Sequence, residues 1–197
     1  MAVFNMDKLI EYFLKFPGIG PRQAKRFAYF IAAQDESYVK NLAELILKVK
    51  RNSRTCVGCF RIFDAAGDGR LCDICSSPSR GGSIMVVEKN VDLENIEKSG
   101  AYRGKYFVLG GVMPLTGNNK NGIRLKELFE KIKKEKPEEI ILATSATTEG
   151  ENTNRYIENI LNPLGVKITK LGRGLSVGAE LEYSDGRTIA NALEGRH

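Results

Sequence analysis

Cys56-Val57-Gly58-Cys59 and Cys72-Asp73-Ile74-Cys75 contain all four cysteines of the chain, two pairs separated by twelve residues. Two Cys-x-x-Cys knuckles can aim four thiolates at one tetrahedral cation, Zn²⁺ above all. A shell closed by four sulfurs leaves no place for water, which makes such a site structural, not catalytic. Disulfides are the competing reading, opposed by a reducing cytosol, and an iron–sulfur cluster is a third. Between the pairs and just beyond them the chain is rich in Gly, Asp, Ser and Pro. Those residues are too small and polar to order themselves, so one metal per chain is expected to hold residues 54–80 together.

A second pattern could do binding chemistry. Pro17-Gly18-Ile19-Gly20-Pro21-Arg22-Gln23-Ala24-Lys25-Arg26 looks like a helix-hairpin-helix DNA-binding element. In such an element Gly18 and Gly20 let the backbone come close to phosphate, the N–H groups that open the next helix face it, and basic side chains add charge. Arg22, Lys25 and Arg26 fall at i, i+3 and i+4 and share one helix face, opposite Ala24, Phe27, Ala28 and Ile31. Lys15, at the end of the preceding helix, is a weaker contributor. The alternative is an ordinary helical hairpin with a solvated basic face.

The third pattern is acidic. Glu88 follows a predicted strand, and Glu149-Gly150-Glu151 is expected in the loop after a later one. Both lie at carboxyl ends of neighbouring parallel strands, where ligand sites collect. The arrangement resembles the Toprim domain of topoisomerases and primases, which holds Mg²⁺ with a Glu after one strand and an Asp-x-Asp after another. Here the pair is Glu-Gly-Glu, which could reach an oxygen-loving cation or could simply favour the start of the next helix.

Other chemistries find no support. There is no Gly-x-x-x-x-Gly-Lys-Ser/Thr loop, and Gly172-Arg173-Gly174-Leu175-Ser176-Val177-Gly178 lacks both the Lys and the strand-to-helix context. The single histidine is His197, native or left from a purification tag, and no Ser/His or Cys/His nucleophile system can be built from it.

The elements that must position these residues follow from periodicity. Leu9, Ile10 and Phe13, then Ala24, Phe27, Ala28 and Ile31, then Leu42, Leu45, Ile46 and Val49 recur at helical spacing and predict three short helices. Pro17 and the glycines break the first from the second, and Pro21 suits a first helical position. After Gly81-Gly82 strands and helices alternate: strands at 84–87, 106–109, 140–143 and 166–168, and helices around 91–98, 125–134 and 154–161. Such βαβ alternation argues for a parallel sheet covered by helices. Asp185 is placed to cap a last helix through Ile189, Ala190 and Leu193. The fold class is therefore α/β. Its expected domains are a helix-hairpin-helix region at 1–53, a four-cysteine zinc module at 54–80, a Toprim-like parallel-sheet domain at 81–175 and a helical tail at 176–197.

At 197 residues and 42% hydrophobic content the chain can bury a core. The net charge of +6 is unevenly placed: residues 1–55 carry ten Lys/Arg against five Asp/Glu, while residues 83–197 carry seventeen against sixteen. A basic surplus beside the hairpin suits a polyanion such as DNA. No apolar run approaches a membrane span, and the first residues lack the regions of a signal peptide, so a cytoplasmic, nucleoid-associated location without membrane contact is expected.

Hairpin, four-cysteine module and Toprim-like domain in this order resemble the RecR family of bacterial recombination mediators across essentially the whole chain. The resemblance extends to Tyr102-Arg103-Gly104-Lys105-Tyr106, Thr148-Glu149-Gly150-Glu151, Leu181-Glu182-Tyr183 and Ala192-Leu193-Glu194-Gly195-Arg196. It implies a non-catalytic protein that acts with RecO, and with RecF where present, to help load recombinase on single-stranded DNA. It also implies a homotetrameric ring with the hairpins toward the DNA, to which we assign the tail as a subunit contact, and a role for Glu88, Glu149 and Glu151 in partner docking. The pattern departs from the family at Gly110, where a histidine is usual, at Lys89, at Ala143-Thr144-Ser145-Ala146-Thr147, and at Leu171-Gly172-Arg173-Gly174. The rival reading is a Mg²⁺-dependent Toprim nuclease using the same three glutamates. It lacks an aspartate-rich second ligand set and a visible nucleophile or base.

Overall fold

The computed structural model describes residues 5–65, 69–115, 122–172, 174–175, 178 and 180–195, with nothing stated of the side chains of Arg187 and Glu194. The expectations placed on His197 and on residues 1–4, and part of Gly172–Gly178, lie outside the described residues. The chain divides into two compact units, Met1–Ser53 and Arg54–His197.

The first unit holds α1 (Asn5–Leu14), α2 (Pro21–Ala33) and α3 (Glu36–Asn52). Pro21 opens α2 as expected, and Asp35 caps α3 by accepting a hydrogen bond from the Tyr38 N–H at 2.8 Å. The hairpin between α1 and α2 closes on Phe13, whose ring meets Phe16 and Phe27 edge-on at 5.7 and 5.8 Å. The helical periodicity of residues 42–49 is right, but it does not mark a buried face: Leu45, Ile46 and Val49 are all exposed. At 17 residues α3 is also longer than the short helix expected.

The second unit begins with a small ladder of β1 (Ser53–Thr55) and β2 (Ile62–Asp64), followed by the short α4 (Asp73–Ser76). The parallel sheet comprises β3 (Ser83–Val87), β4 (Lys105–Val108), β5 (Glu139–Ala143) and β6 (Lys167–Lys170), in the order β4-β3-β5-β6. Its helices are α5 (Asn90–Ser99), α6 (Leu125–Glu135) and α7 (Thr148–Leu161), and α8 (Gly186–Glu194) forms the tail. Both faces of the sheet are covered, so the inner strand β3 is apolar on both sides, while the edge strand β6 keeps Lys167 and Lys170 exposed. Ile84 and Val86 of β3 join Phe107, Ile140 and Leu142 beneath Leu128 and Ile132 of α6 and Ile157 and Leu161 of α7. Met85 and Val87 join Tyr106 and Val108 on the other face, beneath Leu93 of α5 and the cysteine-bearing segment. Each such large apolar side chain contributes about 1.5–3 kcal/mol on burial. No helix among the described residues is long and apolar enough to cross a membrane.

Candidate functional site: a four-sulfur cluster, a basic hairpin and an acidic rim

The turn after β1 and the start of α4 bring the four cysteines together. Their sulfur atoms all lie within 4.8 Å of one another, with Cys59 Sγ and Cys72 Sγ 3.6 Å apart. Backbone N–H groups of Gly58 and Cys72 point at Cys56 Sγ, at 3.4 and 3.3 Å, which fixes the position of that sulfur. Gly58 is closely packed, since a Cβ on it would meet Leu71 Cδ2 at 3.1 Å and Cys75 Sγ at 3.2 Å, so those side chains would have to shift by a few tenths of an ångström to admit one. Without a cation, sulfurs this close cannot all ionise. Hydrogen bonding to Cys72, then to Cys75, pushes the Cys59 thiol above the usual range, while hydrogen bonds from Cys59 and then Cys75 pull Cys72 well below it. A metal ion would remove that conflict. Among the described residues these cysteines are the one group of three or more His, Cys, Asp or Glu whose donor atoms come close enough to share an ion.

The cysteine-bearing segment is not free-standing. The Val108 N–H of β4 donates to the Cys59 carbonyl at 2.8 Å, and the Phe60 ring meets Phe107 edge-on at 5.4 Å. Cys56, Cys59, Cys72 and Ile74 are buried in the same cluster as Met85 and Val87. At the segment's end the Arg80 guanidinium grips both oxygens of Glu97 in α5 at 2.7 Å each, and Tyr106 Oη donates to the same carboxylate at 2.7 Å. Burial raises the Glu97 carboxyl, but the Arg80 and Tyr106 hydrogen bonds together outweigh it and hold the group below its ordinary range.

In the hairpin, Gly18 adopts φ +77°, a left-handed conformation that favours glycine. Gly20 sits in extended backbone as the cap of α2, with no side-chain bond to the helix start, so the N–H groups there are left open. Arg22, Lys25 and Arg26 are exposed, and Arg26 Nη1 reaches Gln23 Oε1 at 3.5 Å. Lys15 Nζ lies over the Tyr12 ring at 4.9 Å from its centroid. The buried stripe of α2 is narrower than periodicity suggested. It consists of Ala24 and Ala28, and Phe27 remains 40% exposed. Sequence reasoning also passed over Tyr29, which is exposed at i+7 from Arg22 and therefore on the basic face. The heptad spacing was the available signal.

The acidic rim differs from expectation. Glu149 and Glu151 are in the first turn of α7, not in a loop, because Thr147 caps that helix by accepting the Gly150 N–H at 3.1 Å. The helix therefore starts at Thr148, six residues before the predicted start, and both acids sit where the helix dipole favours negative charge. Glu88 is buried. Its Oε1 accepts the Ser145 N–H at 2.5 Å, while its backbone carbonyl accepts the Gly110 N–H at 2.9 Å. Glu88 thus spends one carboxylate oxygen inside the protein, and among the described residues the three glutamates are not a group whose donor atoms come close enough to share an ion. Gly150 lies against the same loop, where a Cβ would fall 2.0 Å from the Ser145 carbonyl oxygen. The glycine at position 110 has a local cause as well. At φ +97° a Cβ there would meet Gly122 O at 2.5 Å and Arg124 Nη1 at 2.7 Å, and Arg124 in turn donates to Val108 O and lies over the Phe60 ring.

Known proteins share this organisation. Residues 6–50 match the family model described as RecR, helix-hairpin-helix, residues 82–172 match the Toprim domain, and residues 174–197 match RecR, C-terminal. The chain is similar to the recombination protein RecR of Carboxydothermus hydrogenoformans, 40% identical over 191 residues that span 96% of this chain and 94% of that one. It is 40% identical to RecR of Acidothermus cellulolyticus over 193 residues, 97% of this chain and 95% of that protein. With RecR of Chloroflexus aurantiacus it shares 42% over 191 residues, 96% and 92% of the two chains.

Proposed function

Because the chain belongs to the RecR family of recombination proteins, we propose that it is a DNA-binding recombination mediator in DNA repair that works by contact and not by catalysis. Its partners on this reading are RecO, RecF where the host has it, and DNA, on which it helps load recombinase onto single strands as a homotetrameric ring in the cytoplasm. The observation that carries the reading is the exposed face of Arg22, Lys25 and Arg26 beside an uncapped helix start at Gly20. Side chains of that kind beside a backbone turn grip phosphate without reaching base edges, so binding should be nearly independent of sequence.

Zn²⁺ is the metal proposed for Cys56, Cys59, Cys72 and Cys75. Four clustered sulfurs, three of them from buried residues, fit a closed tetrahedral shell, and a cation there supplies structural cross-linking only. Glu149 and Glu151 are proposed to face a partner from the start of α7, with Glu88 acting indirectly by fixing the loop at Ser145.

The test measures DNA affinity against salt. Each phosphate neutralised contributes roughly 0.7–0.9 to the slope of log affinity on log salt. Arg22→Ala or Lys25→Ala should therefore flatten the slope by about one unit for each phosphate no longer neutralised. A folded Lys25→Ala, Arg26→Ala protein with unchanged affinity and slope would place the DNA site elsewhere. Supercoiled plasmid with Mg²⁺ or Mn²⁺ should stay intact; nicking abolished by Glu88→Ala, Glu149→Ala would favour the nuclease instead.

A further inference from the structure

Tyr29 follows Arg22, Lys25 and Arg26 at i+7, i+4 and i+3, so one face of α2 carries three cations and an aromatic ring. Ala24 and Ala28 hold the opposite side of the helix against the rest of the hairpin, which fixes this face outward. Tyr29 is 64% exposed. The other exposed rings nearby are engaged: Tyr12 lies under the Lys15 ammonium, Phe16 meets Phe13, and Phe30 meets Tyr38 edge-on at 6.1 Å. Tyr29 makes no such ring contact among the described residues.

An exposed aromatic ring flanked by cations is complementary to one class of partner in particular. A single nucleic-acid strand offers negative phosphates spaced along a backbone together with unstacked base faces. Stacking on an aromatic side chain tolerates any base, because every base has a π-face. In a duplex those faces are already stacked on each other, and only phosphates and base edges remain for a helix to touch. We infer that Tyr29 is the base-stacking residue of the hairpin and gives its DNA binding a preference for single strands over duplex.

The inference rests on the hairpin being the DNA site, and the experiment separates the two. Full-length protein is titrated with fluorescent oligo(dT) of thirty or so nucleotides and with a duplex of the same length, across a salt series. Tyr29→Ala should weaken oligo(dT) binding by about five- to a hundredfold, with duplex affinity nearly unchanged. The salt slope on either probe should not move, since no charge is removed. Tyr29→Phe should restore single-strand affinity and Tyr29→Leu should not. The chain contains no tryptophan, so Tyr29→Trp introduces a unique reporter whose emission should be quenched by oligo(dT) and not by the duplex.

Equal loss on both probes, an unquenched Tyr29→Trp indole, or a fall in assembly mass in Tyr29→Ala by light scattering would overturn the inference. The last result would mean that a second copy of the chain covers the ring. Failure of Arg22→Ala to affect either probe would remove the hairpin as the DNA site and the inference with it. A salt slope that responds to Arg22→Ala, with no single-strand effect of Tyr29→Ala, would leave the DNA site standing and refute the stacking role alone.

Discussion

The Glu97 carboxylate joins three parts of the second unit, and replacing it with glutamine tests how the cysteine-bearing segment is fastened to the sheet. Glu97 accepts two bonds from Arg80 and one from Tyr106, all at 2.7 Å, with the Arg80 and Glu97 side chains only 24% and 23% exposed. Glutamine keeps the shape but loses the charge, and its amide nitrogen would face a guanidinium N–H that needs an acceptor. Bonds to a charged group contribute roughly 1 kcal/mol more each than neutral ones, so three give about 3 kcal/mol, reduced to about 2 kcal/mol by partial solvent screening. The sign with pH follows from the lowered folded-state carboxyl. Its stabilisation is fully present above the ordinary value of 4.5 and is lost as pH falls below 4.5 through the folded-state value. Urea unfolding of wild type and Glu97→Gln should therefore differ by about 2 kcal/mol near pH 7 and converge in strong acid. Both proteins carry the same cysteines, so acid release of metal affects them alike and cancels in the difference. A gap that persists undiminished in acid, or no gap at neutral pH, would refute this account of the joint.

Cys72→Ser should lose the bound metal and yield insoluble or misassembled protein, because the cluster lies in the core shared with Met85 and Val87. Metal analysis of a native preparation checks the premise, since absence of zinc with four freely titratable thiols would contradict it. Gly150→Ala should destabilise the protein by about 1–3 kcal/mol through the clash with Ser145 O, read as a lowered unfolding midpoint; an unchanged midpoint would mean that the loop shifts without cost. The Ala substitutions at Arg22 and Lys25, on exposed side chains, should leave that midpoint within about 0.5 kcal/mol of wild type while altering the salt slope, and thermal unfolding of each variant is the control.

Several of these features could be read in the residues and others could not. The cysteine pairs announced their own convergence, because two knuckles at that spacing have few other uses. The strands were legible because a sheet covered on both faces needs unbroken Ile/Val-rich runs such as Ile84–Val87. Helical spacing in residues 42–49 identified a helix but could not say whether anything covers it, since periodicity records a face and not its neighbour. The start of α7 was missed because Ser145-Ala146-Thr147-Thr148 reads as loop, while Thr147 is in fact the cap. The bond from Glu88 to the Ser145 N–H was not legible, because sequence cannot distinguish a carboxylate aimed at solvent from one that accepts a backbone N–H 57 residues away. The Arg80–Glu97–Tyr106 joint left no local pattern, as its members come from three separate segments.

The bond between Glu88 and Ser145 also bears on the shape of the sheet's upper edge. The chain leaves β3 toward β4 on one side and then crosses back past β3 to β5, making a topological switch point between β3 and β5. Open α/β sheets usually gape at that point, and the gap receives their ligands. Here Glu88 spans it, with its carbonyl tied to Gly110 on the β4 side and its carboxylate tied to Ser145 on the β5 side. One residue thus stitches the two halves of the sheet together across their switch point, binding the turn after β4 and the loop after β5 to the end of β3 as a single edge.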